Sequence, residues 1–365
     1  MQKTRLAAVL ALVVILAGCA SPANVATTPT APDAADLVPL AELDVLENPR
    51  DHAGASTALL AAAPIDPVGL DATPALPATV TSRDLDGDIP VTVSTAQRII
   101  GLDIAGSIGA TLFGLGAADL VVGRDSSTTF SEAAELPVVT SGGHSINSEA
   151  VLALRPDVII TDGTVGPVDV VLQLREAGIA VVFVDSDPSL EGVGELARQV
   201  GAAIGAPVAG EALAARLGDE ISAKVAEIAA IAPSAAGDKV RIIFLYLRGS
   251  SGIYYLFGEE SGADTLIESL GGIDVAGEIG WSGMKPMTDE ALVAANPDLI
   301  LVMTDGIASA GGVDGLLETK PAIGLTRAGQ NKRFVDMADG DILSFGPRTP
   351  GVLDALARAI YAPAS

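Results

Sequence analysis

Two segments of the chain repeat one another without a gap. Residues 149–160 read EAVLALRPDVII and residues 290–301 read EALVAANPDLIL, so that Glu, Ala, Ala, Pro, Asp and Ile fall in register. Each copy predicts a helix with a glutamate in its first turn, then a Pro-Asp turn, then a buried strand. A duplicated unit of this kind predicts two similar lobes, each built from alternating helices and strands.

The remaining apolar segments favour the same architecture, because strands that lack polar alternation and are separated by helices are typical of parallel α/β units. The predicted elements are a helix at 105–116, strands at 119–123, 158–160 and 180–184, and a helix at 172–177, followed by strands at 241–247, 299–302 and 334–335 and helices at 262–270 and 352–361.

One long helix is predicted between the two halves. Residues 208–232 are rich in alanine, carry charged residues at intervals, and are bounded by Pro207 and Pro233. Roughly 25 residues span about 37 Å at the α-helical rise. The predicted fold class is α/β, with two Rossmann-like lobes (89–206 and 234–365) joined by a single long α-helix (207–233).

The first residues of the chain predict export. Lys3 and Arg5 precede an apolar run at 6–17, which is shorter than the about 20 residues that a membrane span needs. The stretch Leu16-Ala17-Gly18-Cys19 resembles a bacterial lipobox, which implies a signal peptide at 1–18 and acylation of Cys19, the only cysteine. The alternative is an ordinary signal peptide with a chance cysteine. The expected location is the extracytoplasmic face of the cell membrane.

The next segment and the overall charge refine that expectation. Residues 19–88 are rich in Ala, Pro, Thr and Asp and predict a partly disordered tether, within which 37–46 and 56–63 are apolar enough to contact the folded body. With 46 acidic against 21 basic residues, the net charge is −25. This balance argues against nucleic acid and against broad contact with anionic lipid, so acyl chains on Cys19 are the expected attachment.

Taken together, these features resemble the substrate-binding lipoproteins of iron-siderophore, cobalamin and haem ABC importers, whose fold is the class III type. The resemblance covers about residues 90–362 and depends on the segments 108–116 and 119–123 and on the repeat. It implies a ligand between the lobes, and an ABC permease with its ATPase as partners. It also implies that Glu149 and Glu290 dock onto the permease; the alternative is that each stabilises its helix dipole.

A histidine and a tyrosine are the candidate ligands of the cargo. His144 follows two glycines in a loop, whereas Tyr246 and Arg248 lie two residues apart at the end of a buried strand and therefore share a face. Ligands of open α/β sheets bind outside the carboxyl ends of strands. A guanidinium favours an ionised phenol, and both tyrosine and histidine are haem axial ligands.

This pattern is similar to that of the actinobacterial haem-binding lipoproteins. The resemblance implies that His144 and Tyr246 are the axial ligands of a transported haem b in the Fe(III) state, and that Arg248 steadies the phenolate. Further candidates to border the porphyrin are Tyr254, Tyr255, Trp281 and Met284, with ordinary packing as the alternative. Cell-surface haem donors are expected as additional partners.

Other functions are also open. A ferric siderophore or cobalamin would suit the same architecture without the axial pair. A zinc or manganese site wants three or four ligands, whereas His144 is the only histidine in the predicted folded part, since His52 lies in the tether and is expected to be solvated. The segment 105–109 is a near match to a hydrolase nucleophile elbow around Ser107, which would need His144 as its base. An enzyme is nevertheless not expected.

Overall fold

A computed structural model provides the fold and describes residues 31–71, 73–142, 144–185, 187–249 and 254–363. The predicted signal peptide and Cys19 lie outside these ranges. Throughout the ranges that are described, no helix has both the length and the apolar character needed to cross a bilayer.

Parallel sheets and helices alternate along the chain, which confirms the predicted α/β class. The strands are β1 (Ser56–Ala58), β2 (Ala78–Asp84), β3 (Gly87–Val93), β4 (Ile99–Leu102), β5 (Val121–Arg124), β6 (Thr140–Ser141), β7 (Ser145–Ile146), β8 (Val158–Thr161), β9 (Ala180–Phe183), β10 (Arg241–Leu247), β11 (Tyr254–Phe257), β12 (Ile273–Asp274), β13 (Met284–Pro286), β14 (Leu299–Met303) and β15 (Phe334–Met337). The helices are α1 (Ser107–Gly114), α2 (Ser148–Leu154), α3 (Val168–Glu176), α4 (Leu190–Ala203), α5 (Pro207–Ile231), α6 (Ala263–Ser269), α7 (Val275–Glu278), α8 (Asp289–Ala295), α9 (Thr304–Ser309), α10 (Gly312–Thr319), α11 (Arg327–Gln330), α12 (Asp339–Ile342) and α13 (Thr349–Tyr361).

Each half of the chain builds its own sheet. In the N-lobe (residues 78–206), four parallel strands pair in the order β5-β4-β8-β9. In the C-lobe (residues 232–363), the order is β15-β14-β10-β11-β13, with β12 beside the start of β10. The pairs β10–β14 and β14–β15 are parallel, whereas β11 and β13 extend the sheet in antiparallel fashion. The central strands are apolar on both faces because helices cover both.

The repeated segments adopt matching local structures. Asn147 caps α2 and Thr288 caps α8, each accepting a hydrogen bond from the backbone N–H three residues further on. Both helices end in a residue with left-handed backbone, Arg155 at φ 48° and Asn296 at φ 45°. The repeat in the sequence is therefore also a repeat in the structure.

The helix between the lobes, α5, runs from Pro207 to Ile231 within the predicted range 207–233. Proline suits the first turn because its missing N–H has no partner there. The carboxylate of Asp71 accepts the next two backbone N–H groups, at 3.2 and 2.8 Å. Gly201 of α4 and Gly210 of α5 lie so close that a Cβ added at Gly201 would be 2.8 Å from the Gly210 Cα. These small residues let α4 pack directly against α5.

The segment predicted as a tether makes specific contacts with the folded body: its middle part contacts the C-lobe, and Val68 donates its backbone N–H to the Gly114 carbonyl of the N-lobe at 2.9 Å. We call residues 31–71 the N-terminal strap. Its strand β1 pairs in parallel with β15, Leu40 is 2% exposed, and Arg50 Nε lies 2.7 Å from the carboxylate of Asp298. His52 is half-buried rather than solvated, and burial followed by the charge of Arg333 lowers its pKa.

The predicted boundary between tether and N-lobe, at residues 88 and 89, falls inside the hairpin β2–β3. The two strands pair over seven positions, from Ala78 with Val93 to Asp84 with Gly87. The Ser82 hydroxyl accepts the backbone N–H of Phe183 at 2.8 Å, which attaches the hairpin to β9. Residues 78–88 consequently belong to the N-lobe.

Candidate functional site

The carboxyl edge of the N-lobe sheet is organised by buried aspartates. Asp103 follows β4 and accepts the backbone N–H groups of Ser107 and Ile108 at 2.8 and 3.1 Å, which fixes the start of α1. Asp125 follows β5 and is fully buried. Burial raises the pKa of both carboxyl groups, and the neighbouring charge of Asp125 raises that of Asp103 further. Both side chains hold loops in place at the edge where parallel sheets bind ligands.

His144 lies at this same edge, at the tip of the short hairpin β6–β7. Its backbone has a positive φ of 60°, and its carbonyl accepts the N–H of Gly166 at 3.2 Å. The side chain is half-buried, and its Nδ1 atom lies 3.5 Å from the hydroxyl oxygen of Ser127. The second ring nitrogen, Nε2, is the atom through which an imidazole so held would bind an iron.

In the C-lobe, Tyr246 and Arg248 lie at the carboxyl end of β10. The Arg248 Nε donates to the Tyr246 hydroxyl oxygen at 2.8 Å, and the guanidinium carbon lies 5.7 Å from the centre of the tyrosine ring. The hydrogen bond with Tyr246 raises the pKa of the Arg248 guanidinium. Tyr246 is half-buried and Arg248 is exposed, so this pair is open to a ligand at the edge of the sheet.

Aromatic and sulfur-containing side chains extend the same face of the sheet. Tyr255 is the cross-strand partner of Tyr246, with ring centres 6.4 Å apart, and Phe257 lies 6.1 Å from Tyr246 in an edge-to-face arrangement. Met284 pairs with Phe257 across β11 and β13 and is 50% exposed. The face is therefore suited to a flat apolar ligand.

Tyr254 and Trp281 lie elsewhere. Tyr254 alternates with Tyr255 and points to the opposite face of the sheet, where it is 2% exposed and donates to Asp289 at 2.6 Å. Burial, then this hydrogen bond, raises its pKa. The Trp281 ring packs against the cluster on that opposite face, which includes Tyr254 and Leu256. The structure thus brings Tyr255 and Met284 together with Tyr246, but not Tyr254 or Trp281.

The carboxyl edges of the two sheets approach one another where the loop after β5 contacts the segment after β15. A Cβ added at Gly340, just after β15, would lie 2.9 Å from the carbonyl oxygen of Ser127 and 2.6 Å from the Thr129 hydroxyl, both just after β5. The guanidinium of Arg348 lies 5.8 Å from the ring centre of Phe130. The loop that contacts His144 therefore also contacts the C-lobe.

Glu149 and Glu290 are exposed and occupy the same place in the repeat, the second residue of α2 and of α8. Ser107, the serine of the hydrolase alternative, is 7% exposed at the start of α1. Ser127 is the serine whose hydroxyl lies beside His144.

Two residues of the site were not singled out from the sequence, namely Ser127 and Phe257. For Phe257, the apolar segment after the Tyr-Tyr pair was the available signal. For Ser127, no local pattern indicated a contact with a residue in another loop.

Comparison with known proteins places the chain in a family. The model of the periplasmic binding proteins matches residues 104–339, and the chain belongs to that family, as its motifs predicted. A crystal structure of the haem-binding protein HmuT is similar, with a TM-score of 0.79 and 38% identity over 86% of this chain and 99% of that one. Solved variants of HmuT carry alanine in place of an arginine, a tyrosine and a histidine.

Two curated relatives are more distant. A cobalamin-binding protein of Halobacterium salinarum is 29% identical over 225 residues, which is 61% of this chain and 58% of that protein. The chain thus spans less than two thirds of that relative's length. An uncharacterised ABC transporter substrate-binding lipoprotein of Bacillus subtilis, YvrC, is 27% identical over 256 residues, 68% of this chain and 76% of that protein.

Proposed function

We propose that the protein binds haem between its two lobes and delivers it to an ABC importer from the extracytoplasmic face of the membrane. The observation that carries the proposal is the Arg248–Tyr246 hydrogen bond of 2.8 Å at the carboxyl end of β10. A phenol oxygen whose lone pair is oriented by a guanidinium is a hard oxygen donor suited to ferric iron.

The second ligand of the proposal comes from the other lobe. His144 lies at the carboxyl edge of the N-lobe sheet, and that edge contacts the C-lobe through the loop after β5. One nitrogen donor and one oxygen donor, each from a different lobe, would bind the two faces of a porphyrin iron. The likeness to HmuT supports this assignment, because the tyrosine and arginine replaced in its variants are two positions apart, as Tyr246 and Arg248 are.

The aromatic face beside Tyr246 would contact the macrocycle. Tyr255, Phe257 and Met284 lie on the same side of the sheet as Tyr246 and add aromatic and thioether groups beside it. Such a surface favours a flat conjugated ligand through area burial and ring contacts.

A haemin titration of the purified protein tests the proposal. The wild type is expected to develop a Soret band at one equivalent, whereas Tyr246→Phe and His144→Ala are each expected to shift that band and weaken binding by about tenfold or more. Tyr255→Phe is the matched control, since it removes a phenol hydroxyl from the same face. Absence of a haemin complex in the wild type, with tight binding of cyanocobalamin or a ferric siderophore, would refute the proposal.

We further propose that the protein is anchored through acylated Cys19 and docks onto the permease through Glu149 and Glu290. The two glutamates are exposed at equivalent positions of the two lobes, and the anchor would keep the protein beside its transporter. Glu149→Ala with Glu290→Ala should abolish haem-dependent growth without changing haemin affinity. Glu191→Ala, an exposed first-turn glutamate of α4, is the control. Cys19→Ser should release the protein from membranes.

A further inference from the structure

We propose that Ser127 is a positioning residue that sets the tautomer and orientation of His144, with Asp125 holding Ser127 in place. This inference rests on the proposed role of His144 as an iron ligand. The Ser127 hydroxyl oxygen lies 3.5 Å from His144 Nδ1. If His144 binds the iron through Nε2, Nδ1 is the ring nitrogen that faces away from the cargo. An imidazole that donates its Nδ1–H to a hydroxyl presents a lone pair on Nε2 to a metal.

The serine is fixed by a buried carboxylate. Oδ1 of Asp125 accepts the backbone N–H groups of Ser127 and Thr128 at 2.8 and 2.7 Å, and its Oδ2 accepts that of Asp103 at 3.1 Å. Asp125 is fully buried and Ser127 is 7% exposed. The loop therefore has a defined backbone conformation, which places the Ser127 side chain beside the imidazole.

The need for such support follows from the backbone of His144. A positive φ is uncommon for a residue with a side chain, and His144 has one. Its imidazole lies at the tip of a hairpin whose two strands, β6 and β7, are only two residues long. The hairpin backbone by itself does not select which ring nitrogen is presented. The contact with Ser127 provides the second point of attachment that defines which nitrogen is presented.

The loop also connects this ligand to the opposite lobe. The carbonyl of Ser127 and the side chain of Thr129 are in close contact with Gly340. Movement of the C-lobe relative to the N-lobe would consequently move the residue that orients His144.

Substitution of Ser127 by alanine is the test, since it removes the hydroxyl and keeps the backbone N–H that bonds to Asp125. Ser127→Ala is expected to raise the rate of haem dissociation by about threefold to tenfold and to change the g-value spread of the ferric haem in its electron paramagnetic resonance spectrum. Ser126→Ala, the exposed neighbour, is the matched control and should leave both unchanged.

The double variant Ser127→Ala/His144→Ala separates this role from a structural one. If Ser127 acts through the imidazole, its substitution adds nothing once His144 is absent. An unchanged rate and spectrum in Ser127→Ala, or an equal effect with and without His144, would overturn the inference. Failure of the wild type to bind haemin would instead refute the proposed function, so the two outcomes are distinct.

Discussion

The carboxylate of Asp298 is one of the groups that attach the N-terminal strap to the C-lobe, and Asp298→Asn should weaken that attachment. The side chain is 2% exposed. Its Oδ2 atom accepts from Arg50 Nε at 2.7 Å and from the backbone N–H of Arg241 at 3.1 Å, whereas Oδ1 lies 3.3 Å from Arg327 Nη1. Replacement of one oxygen by an amide NH2 places a donor against a guanidinium donor.

The repeat supplies a matched control, Asp157→Asn. The Oδ2 atom of Asp157 accepts the backbone N–H groups of Gln97 and Arg98 at 2.9 and 3.0 Å, and asparagine keeps one oxygen for both. A hydrogen bond to a charged group contributes about 1.5–3 kcal/mol, and less where its partner is solvated. The arginines that contact Asp298 are only half-buried, so their contributions are reduced. We expect a loss of about 2–3 kcal/mol for Asp298→Asn and about 0.5–1 kcal/mol for Asp157→Asn.

Urea unfolding with hydrogen exchange measures both effects. The strap amides of Leu46 and Gly54 donate to Tyr361 and Asn331 of the C-lobe, each at 2.8 Å, so they report its attachment directly. Exchange at these amides should accelerate in Asp298→Asn and stay at the wild-type rate in Asp157→Asn. Equal losses of stability in the two variants, with unchanged exchange in the strap, would refute the reasoning.

Three other changes have expected outcomes. Gly340→Ala should lower the free energy of unfolding by about 1–3 kcal/mol in a denaturant titration, because the added methyl would lie 2.9 Å from the Ser127 carbonyl; unaltered stability would contradict the close contact between lobes. Burial raises the pKa of Asp103 well above its ordinary 3.8, so the stabilisation from its bound proton is present below pH 3.8 and is lost as pH rises through the folded-state value. In thermal unfolding, Asp103→Asn should therefore gain stability relative to wild type as pH rises from about 4 to 8. A loss of stability relative to wild type over that range would contradict the raised pKa of Asp103. Arg248→Met should weaken haemin binding by about tenfold, since it removes the donor to the Tyr246 hydroxyl oxygen; an unchanged affinity would argue against support of the Tyr246 ligand by Arg248.

The features that local patterns predicted are those whose causes are local. Alanine content and bounding prolines indicated the linking helix, and helix-turn-strand repeats indicated the sheets. The face shared by Tyr246 and Arg248 followed from the two-residue period of a strand. Each of these inferences needs only neighbours in sequence.

The apolar segments 37–46 and 56–63 indicated contact between the strap and the folded body, and Leu40 and β1 lie within them. The partners in the C-lobe could not be predicted in this way because they are distant in sequence. The composition of the strap is typical of a tether, yet Arg50 and Asp298 are 248 residues apart and meet only in the folded chain. Leu40 is buried by residues from other parts of the structure. Pairing of β1 with β15 likewise depends on an open sheet edge that the sequence does not reveal.

The two lobes have the same contact at the amino-terminal edge of their sheets and different side chains at the carboxyl edge. Just before β4, Arg98 donates to the Leu154 carbonyl at 2.9 Å, and at the start of β10, Arg241 donates to the Ala295 carbonyl at 3.0 Å. The end of each repeated helix is therefore held in the same manner. At the carboxyl edge, one lobe presents an imidazole on a hairpin and the other a phenol at the end of a strand. A duplicated scaffold with dissimilar donors suits a cargo whose two faces are bound by different lobes, since identical edges would provide two ligands of one kind. The two lobes therefore differ in the side chains they present at the edges where the proposed cargo would bind.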